Sequence, residues 1–132
     1  MAKGLDKHQE RLSVLNSFGK DLTRRSGSSC ELCSASGIKL QVHEVPPVNT
    51  EPDFEKCIFI CETCQKQIEK PKSLEANHWR CLENSIWSDI SAIKIMSMIM
   101  IKKIAPLEDW ASALAEDVYL EPEEEEWLNS II

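Results

Sequence analysis

Between residues 5 and 24 apolar side chains return every three or four positions. Leu5, Leu12, Leu15, Phe18 and Leu22 share one stripe with Lys20 and Arg24 opposite, which predicts an amphipathic helix. His8 falls on the apolar side, four residues before Leu12, and reads as a partly buried structural histidine. The run Ser26-Gly27-Ser28-Ser29 ends that helix. The period then changes to two: Ile38, Leu40 and Val42 alternate with Lys39, Gln41 and His43, which predicts a half-buried strand. A loop holding Pro46, Pro47 and Pro52 leads to a return strand, Cys57-Ile58-Phe59-Ile60. Residues 61–70 turn helical again until Pro71.

Residues 73–132 read as all-helical. Trp79, Leu82 and Ile86 fall on one face, and Ile90–Ile104 is apolar nearly all round, relieved by Lys94 and Ser97, as a buried central helix would be. Pro106 predicts a helix start, with Glu108 and Asp109 in its first turn and Leu107, Trp110, Ala111, Leu114 and Val118 as its stripe. Pro122 repeats the device, followed by Glu123–Glu126 and then Trp127, Leu128 and Ile131. The expected organisation is an N-terminal amphipathic helix over 1–25, a cysteine-bearing module over 26–72 and a helical domain over 73–132 with acidic C-terminal helices.

Composition narrows the class. With 132 residues, 42% hydrophobic and 28% charged, the chain is an ordinary globular one and not a disordered one. The N-terminus is charged from its third residue and shows no apolar leader, and the richest apolar run, Ile90–Ile101, is interrupted by Lys94 and too short to span a bilayer. The expectation is a cytoplasmic protein with no membrane span. Its thiols are then reduced, and paired cysteines there usually mean metal.

The net charge of −7 is unevenly spread. Residues 104–132 hold nine acids and no Lys or Arg, while the rest hold 13 acids against all 15 bases. A polyanion would meet repulsion at the C-terminal part, so the charge argues against nucleic acid and for a protein partner. The acidic segment is expected to serve docking and solubility, and a sharper reading has it screening a Lys20/Arg24/Arg25 patch from stray polyanions.

Two C-x2-C pairs stand 27 residues apart: Cys30-Glu-Leu-Cys33 and Cys61-Glu-Thr-Cys64. Each tight turn aims two sulfurs inward, and two pairs fill the four-coordinate shell that zinc prefers. The first pair precedes a strand and the second opens a helix, whose N-terminal dipole favours thiolate. Knuckle, hairpin and knuckle-into-helix is the order of a treble-clef or zinc-ribbon module, so the fold class expected is small α+β, with that module followed by a helical bundle. One structural Zn2+ held by Cys30, Cys33, Cys61 and Cys64 is the leading reading; disulfides and unliganded core thiols are the alternatives. Cys57 and Cys81 read as buried free thiols. His78 and Cys81, at i and i+3, are the alternative ligands. His43, on the polar face beside Glu44, reads as an exposed surface histidine or as the remnant of an active site with that glutamate.

The segments Cys30–Cys33, Val42-His43-Glu44-Val45-Pro46-Pro47, Ile60–Ile68 and Asn77-His78-Trp79-Arg80-Cys81-Leu82, taken in order, resemble the PhnA-type family of bacterial proteins, named after an alkylphosphonate-utilisation operon. The resemblance runs from about residue 26 to Leu120; longer members continue into a small β-barrel domain that these 132 residues do not include. The C-x2-C, strand, C-x2-C-x3-Ile layout also resembles HNH endonucleases. In that family His43 would help bind a catalytic metal, Glu44 stands where the general-base histidine would be, and Gln65 and Glu69 stand where further histidines would be. That resemblance implies kinship of fold with catalysis lost.

Three functions follow as expectations. A non-catalytic adaptor or regulatory zinc protein leads, because four thiolates close the metal to water. A metal-dependent hydrolase acting on phosphodiesters or phosphonates is second; no Gly-rich phosphate loop, H-E-x-x-H or serine elbow supports it. A nucleic-acid-binding zinc finger is third, weakened by a pI near 5.0.

Overall fold

The computed structural model describes the backbone of residues 2–131 and the side chains of residues 7–131. It is a small α+β fold: a two-stranded antiparallel hairpin, β1 (Leu40–Glu44) and β2 (Cys57–Cys61), set among helices. Its register pairs Leu40 with Cys61 and Glu44 with Cys57. Ile38, expected to open the first strand, lies outside it and is exposed. The chain turns there at Gly37, and an apolar residue without a cross-strand partner has nothing to pack on.

The single helix expected over 5–24 is two: α1 (Ala2–Ser17) and α2 (Gly19–Ser26). The break falls at Asn16-Ser17-Phe18-Gly19, where three poor helix formers surround a phenylalanine that packs edge-on against Phe54, ring centres 5.4 Å apart. Helix α2 ends on Gly27 at φ 63°, the left-handed position that glycine occupies without strain. Leu22 is buried, but Leu12 is 45% exposed and His8 is exposed, so the expected stripe is only partly used. Leu5 lies outside the described side chains. The reason is the side of α1 that docks: Arg11 donates to the Glu44 carboxylate and to the Thr50 carbonyl (2.9 Å), which turns Leu12 and His8 outward.

Helix α3 (Glu62–Glu69) follows β2 directly, and Pro71 opens a 3-10 turn over Pro71–Ser73. A second such turn, His78–Cys81, runs into the short α4 (Leu82–Ser85); Trp79, Leu82 and Ile86 are all fully buried. Helix α5 (Ser91–Ile104) is the central element, buried on nearly every side as its all-round apolarity requires. Its Ser97 is satisfied at 2.7 Å from Ser85 Oγ and 2.8 Å from the Ile93 carbonyl. Helix α6 (Asp109–Asp117) begins three residues later than Pro106 suggests, and Leu107 is left exposed in the connecting turn. Helix α7 (Pro122–Ile131) starts at its proline as expected. One continuous apolar core takes residues from Cys30 through Leu128, so the hairpin and the helical part share it. Among the described residues no helix is long and apolar enough to cross a membrane.

Glu124 stands apart from the other glutamates of the α7 start. It is buried, accepts the backbone N–H of Glu121 at 2.9 Å as the returning half of a capping box, and meets Lys94 of α5 at 3.3 Å. Burial works to raise its carboxyl, but the Glu121 N–H, Ser91 and Lys94 outweigh it and hold the group below the ordinary carboxylate value. A carboxylate lowered on folding adds stability above its unfolded pKa and loses it as pH falls. The docking of α7 should therefore loosen as pH drops below the ordinary carboxylate range, and Glu124→Gln should remove that dependence. The NMR signal of the Trp127 Nε1–H, which donates to the Pro46 carbonyl at 2.8 Å, reports it from pH 7 to 3; identical acid profiles in both proteins would refute it.

Candidate metal centre

The candidate centre lies at the end of the hairpin where Leu40 pairs with Cys61, and is built from the turn before β1 and the junction after β2. In the first knuckle the Cys30 N–H donates to Ala35 O at 2.8 Å, Ser34 N–H to Cys30 O at 2.9 Å, and the Cys33 N–H to Cys30 Sγ at 3.4 Å. The last of these is an amide aimed at a sulfur that gains from being negative. Glu31, between the two cysteines, ties the knuckle to β2: its N–H donates to Phe59 O and its carboxylate accepts the Phe59 N–H, both at 2.8 Å. Arg25 completes the joint, donating to both Glu31 oxygens at 2.8 and 2.7 Å and to the Cys57 carbonyl at 3.0 Å. The second knuckle is where β2 becomes α3: Cys61 is the last strand residue and the helix N-cap, and Cys64 sits in the first helical turn.

These elements bring the Sγ atoms of Cys30, Cys33, Cys61 and Cys64 within 4.8 Å of one another. Cys30 and Cys64 are 3.8 Å apart, and Cys33 and Cys61 are 3.6 Å apart. A zinc–sulfur bond of about 2.3 Å gives a regular tetrahedron an S···S edge of about 3.8 Å, so the donor set fits one tetrahedral ion. Cys30, Cys61 and Cys64 are buried and Cys33 is half-buried. All six cysteines are free, which removes the disulfide alternative from this structure.

Without a cation between them, Cys30, Cys33 and Cys64 work against one another's ionisation. Hydrogen bonding from Cys33, then from Cys64, pulls the Cys30 thiol well below its ordinary range. The reciprocal bond to Cys30 pushes Cys33 up to about 12, and Cys64 is driven up by Cys30 and Cys33 in turn. A divalent ion reverses this, because its charge deprotonates coordinating thiols. The four cysteines could hold one metal ion.

No protein-family model, curated protein or solved structure matches the chain.

Cys57 and Cys81 stand outside the four. Cys57, at the far end of β2, gives its thiol to the Asp53 carbonyl at 3.3 Å, and burial first of all pushes it up to about 11. Cys81 is raised to about 12, by burial and then by the charges of Cys33 and Cys30, so it lies beside the cluster without joining it. His78 comes closer: its Nε2 is 3.2 Å from Cys64 Sγ.

His43 and Glu44 are placed differently from expectation. His43 is not an exposed surface histidine; it is half-buried, with Nε2 shut away from solvent and without a partner. Burial lowers its pKa first, opposed by Gln65, Glu69 and Glu44. Successive strand residues point to opposite faces, so Glu44 turns away from it. Glu44 is held by Arg11 through two hydrogen bonds, Nε to Oε2 at 3.0 Å and Nη2 to Oε1. Gln65 donates to Glu69 at 2.5 Å while its own Oε1 is buried and unpartnered. Arg25 is likewise not part of a free basic patch with Lys20 and Arg24, since the Glu31 ion pair occupies it. Arg25 and Glu31 support the first knuckle through Phe59 and Cys57 of β2, and Arg11 holds Glu44 from 33 positions away; no periodic pattern marks these partners.

Proposed function

We propose that the chain is a non-catalytic zinc protein: a treble-clef or zinc-ribbon-like module carrying one structural Zn2+ on Cys30, Cys33, Cys61 and Cys64, working as an adaptor or regulatory unit. The observation that carries this reading is the closed four-sulfur set at the edge lengths of a tetrahedral zinc–thiolate site. Four thiolates leave zinc no position for an activated water. The commitment of Glu44 to Arg11 supports it further, since a carboxylate forked to a guanidinium is a poor general base. The ordered motifs from Cys30 to Leu120 support placing the chain with the PhnA-type proteins, and through that family's name with phosphonate metabolism. The partner is a protein rather than a nucleic acid, in keeping with the charge of −7 and the engagement of Arg25. A cytoplasmic location agrees with six free thiols.

One observation favours a second reading, an HNH-like metal-dependent hydrolase: the buried, unpartnered His43 Nε2 and Gln65 Oε1 lie on the α3 side of the hairpin. The two readings separate in one pair of measurements. Elemental analysis should find one zinc per chain, and supercoiled plasmid incubated with magnesium or manganese should stay intact. Nicking that disappears in His43→Ala would establish the hydrolase instead.

A further inference from the structure

Among the described residues, His78 is the one imidazole that touches the cysteine cluster, and it comes from the helical part rather than from either knuckle. Its Nε2 lies 3.2 Å from Cys64 Sγ. Toward a thiolate that nitrogen must carry the proton, because a metal-bound sulfur has only lone pairs to offer. The ring is held from behind: it meets Trp79 edge-on, centroids 5.2 Å apart at 87°. Trp79 is fully buried and gives its Nε1–H to Gln67 Oε1 at 2.7 Å. The same oxygen accepts the Glu75 N–H at 2.8 Å. Gln67 sits three residues after Cys64 on α3, so the helix that presents the sulfur also grips the turn that presents the imidazole.

We infer that His78 is a positioning residue of the metal centre: it donates an Nε2–H···Sγ hydrogen bond to the Cys64 thiolate, drawing charge off that sulfur and retaining it on the metal. This rests on the four-cysteine reading above. Outer partners of this kind fix ligand orientation and tune the metal, and their loss commonly weakens metal binding by about 10- to 100-fold. Cys64 needs such a donor, since it is fully buried and far from water that would otherwise solvate its charge. Cys33, half-buried at the rim, is not so isolated.

The full chain loaded with Co2+ tests this, with His78→Phe and His78→Gln beside the parent. The parent should show charge-transfer intensity of four sulfurs. His78→Phe should keep that intensity, move the sulfur-to-cobalt band to longer wavelength and pass its metal to a chelator about 10- to 100-fold faster. His78→Gln, whose amide N–H reaches the same sulfur, should restore both. A His78→Phe protein with parental band and release rate overturns the inference. So does a parent spectrum of fewer than four sulfurs, which would make His78 itself a ligand. A parent that takes up no cobalt removes the four-cysteine reading first. Should His78→Phe not fold, the unmutated chain decides: loaded with 113Cd, its His78 Nε2 proton should show coupling to the metal through the hydrogen bond, and its absence counts against the donor role.

Discussion

Cys61→Ser should abolish metal binding and cost the chain its cooperative fold, whereas Cys57→Ser, four residues away on the same strand, should leave both in place. The pair isolates the metal from the packing. Both residues are buried cysteines of β2, so each substitution brings a hydroxyl into a position closed to water. Cys57 already spends its thiol on the Asp53 carbonyl, a bond a serine hydroxyl can make. Cys61 belongs to the four-sulfur set. Structural zinc supplies roughly 10–16 kcal/mol of apparent binding energy to small modules near neutral pH, against a net stability of about 5–15 kcal/mol for a whole domain. The loss of one thiolate therefore compares with the entire stability. Because Cys30, Cys61 and Cys64 belong to the same core as Trp79 and the α5 isoleucines, unfolding should reach beyond residues 26–70. Metal analysis and circular dichroism melting check this. A Cys61→Ser protein that is metal-free and yet melts like the parent would remove the structural role of the ion.

What is legible in the sequence follows the range of the interaction. The two C-x2-C pairs are legible because the ligand geometry is made within each turn. The buried α5 is legible because its apolarity needs no partner to be read. Periodicity names a stripe but not what it meets, so Leu12 and His8 belong to a helical stripe and still face outward. The alternation of β1 places His43 on the polar face, which holds only when that face is wet. Here α3 covers it, and β2, buried at four of five positions, shows a hairpin covered on both sides. The long-range ion pairs are the least legible: Arg11 and Glu44 are 33 positions apart, and Lys94 and Glu124 are 30. No window of sequence short enough to show a pattern contains both members.

Arg25→Met should be among the more damaging substitutions outside the cysteines, costing about 3–5 kcal/mol. The Glu31 side chain is only 3% exposed and that of Arg25 18%, so the pair is sheltered from the screening that makes surface ion pairs nearly worthless. Removing the guanidinium leaves a buried carboxylate with one remaining hydrogen-bond donor, the Phe59 backbone N–H at 2.8 Å. It also removes the donor to the Cys57 carbonyl and the cation lying 5.4 Å over the Phe54 ring. Glu31→Gln should cost less, because the amide oxygen still accepts from Phe59 and Arg25 keeps its bond to Cys57. The double variant Arg25→Met with Glu31→Leu should recover much of the loss, since it leaves no buried charge alone. Urea unfolding of the parent, Arg25→Met, Glu31→Leu and the double variant at fixed metal loading closes the cycle, with Glu31→Gln measured beside them. The knuckle adds a second readout: Glu31 lies between two metal ligands, so Arg25→Met should also speed metal transfer to a chelator, and Glu31→Gln less so. Equal stability of Arg25→Met and parent would mean that the ion pair contributes nothing to holding the knuckle against β2.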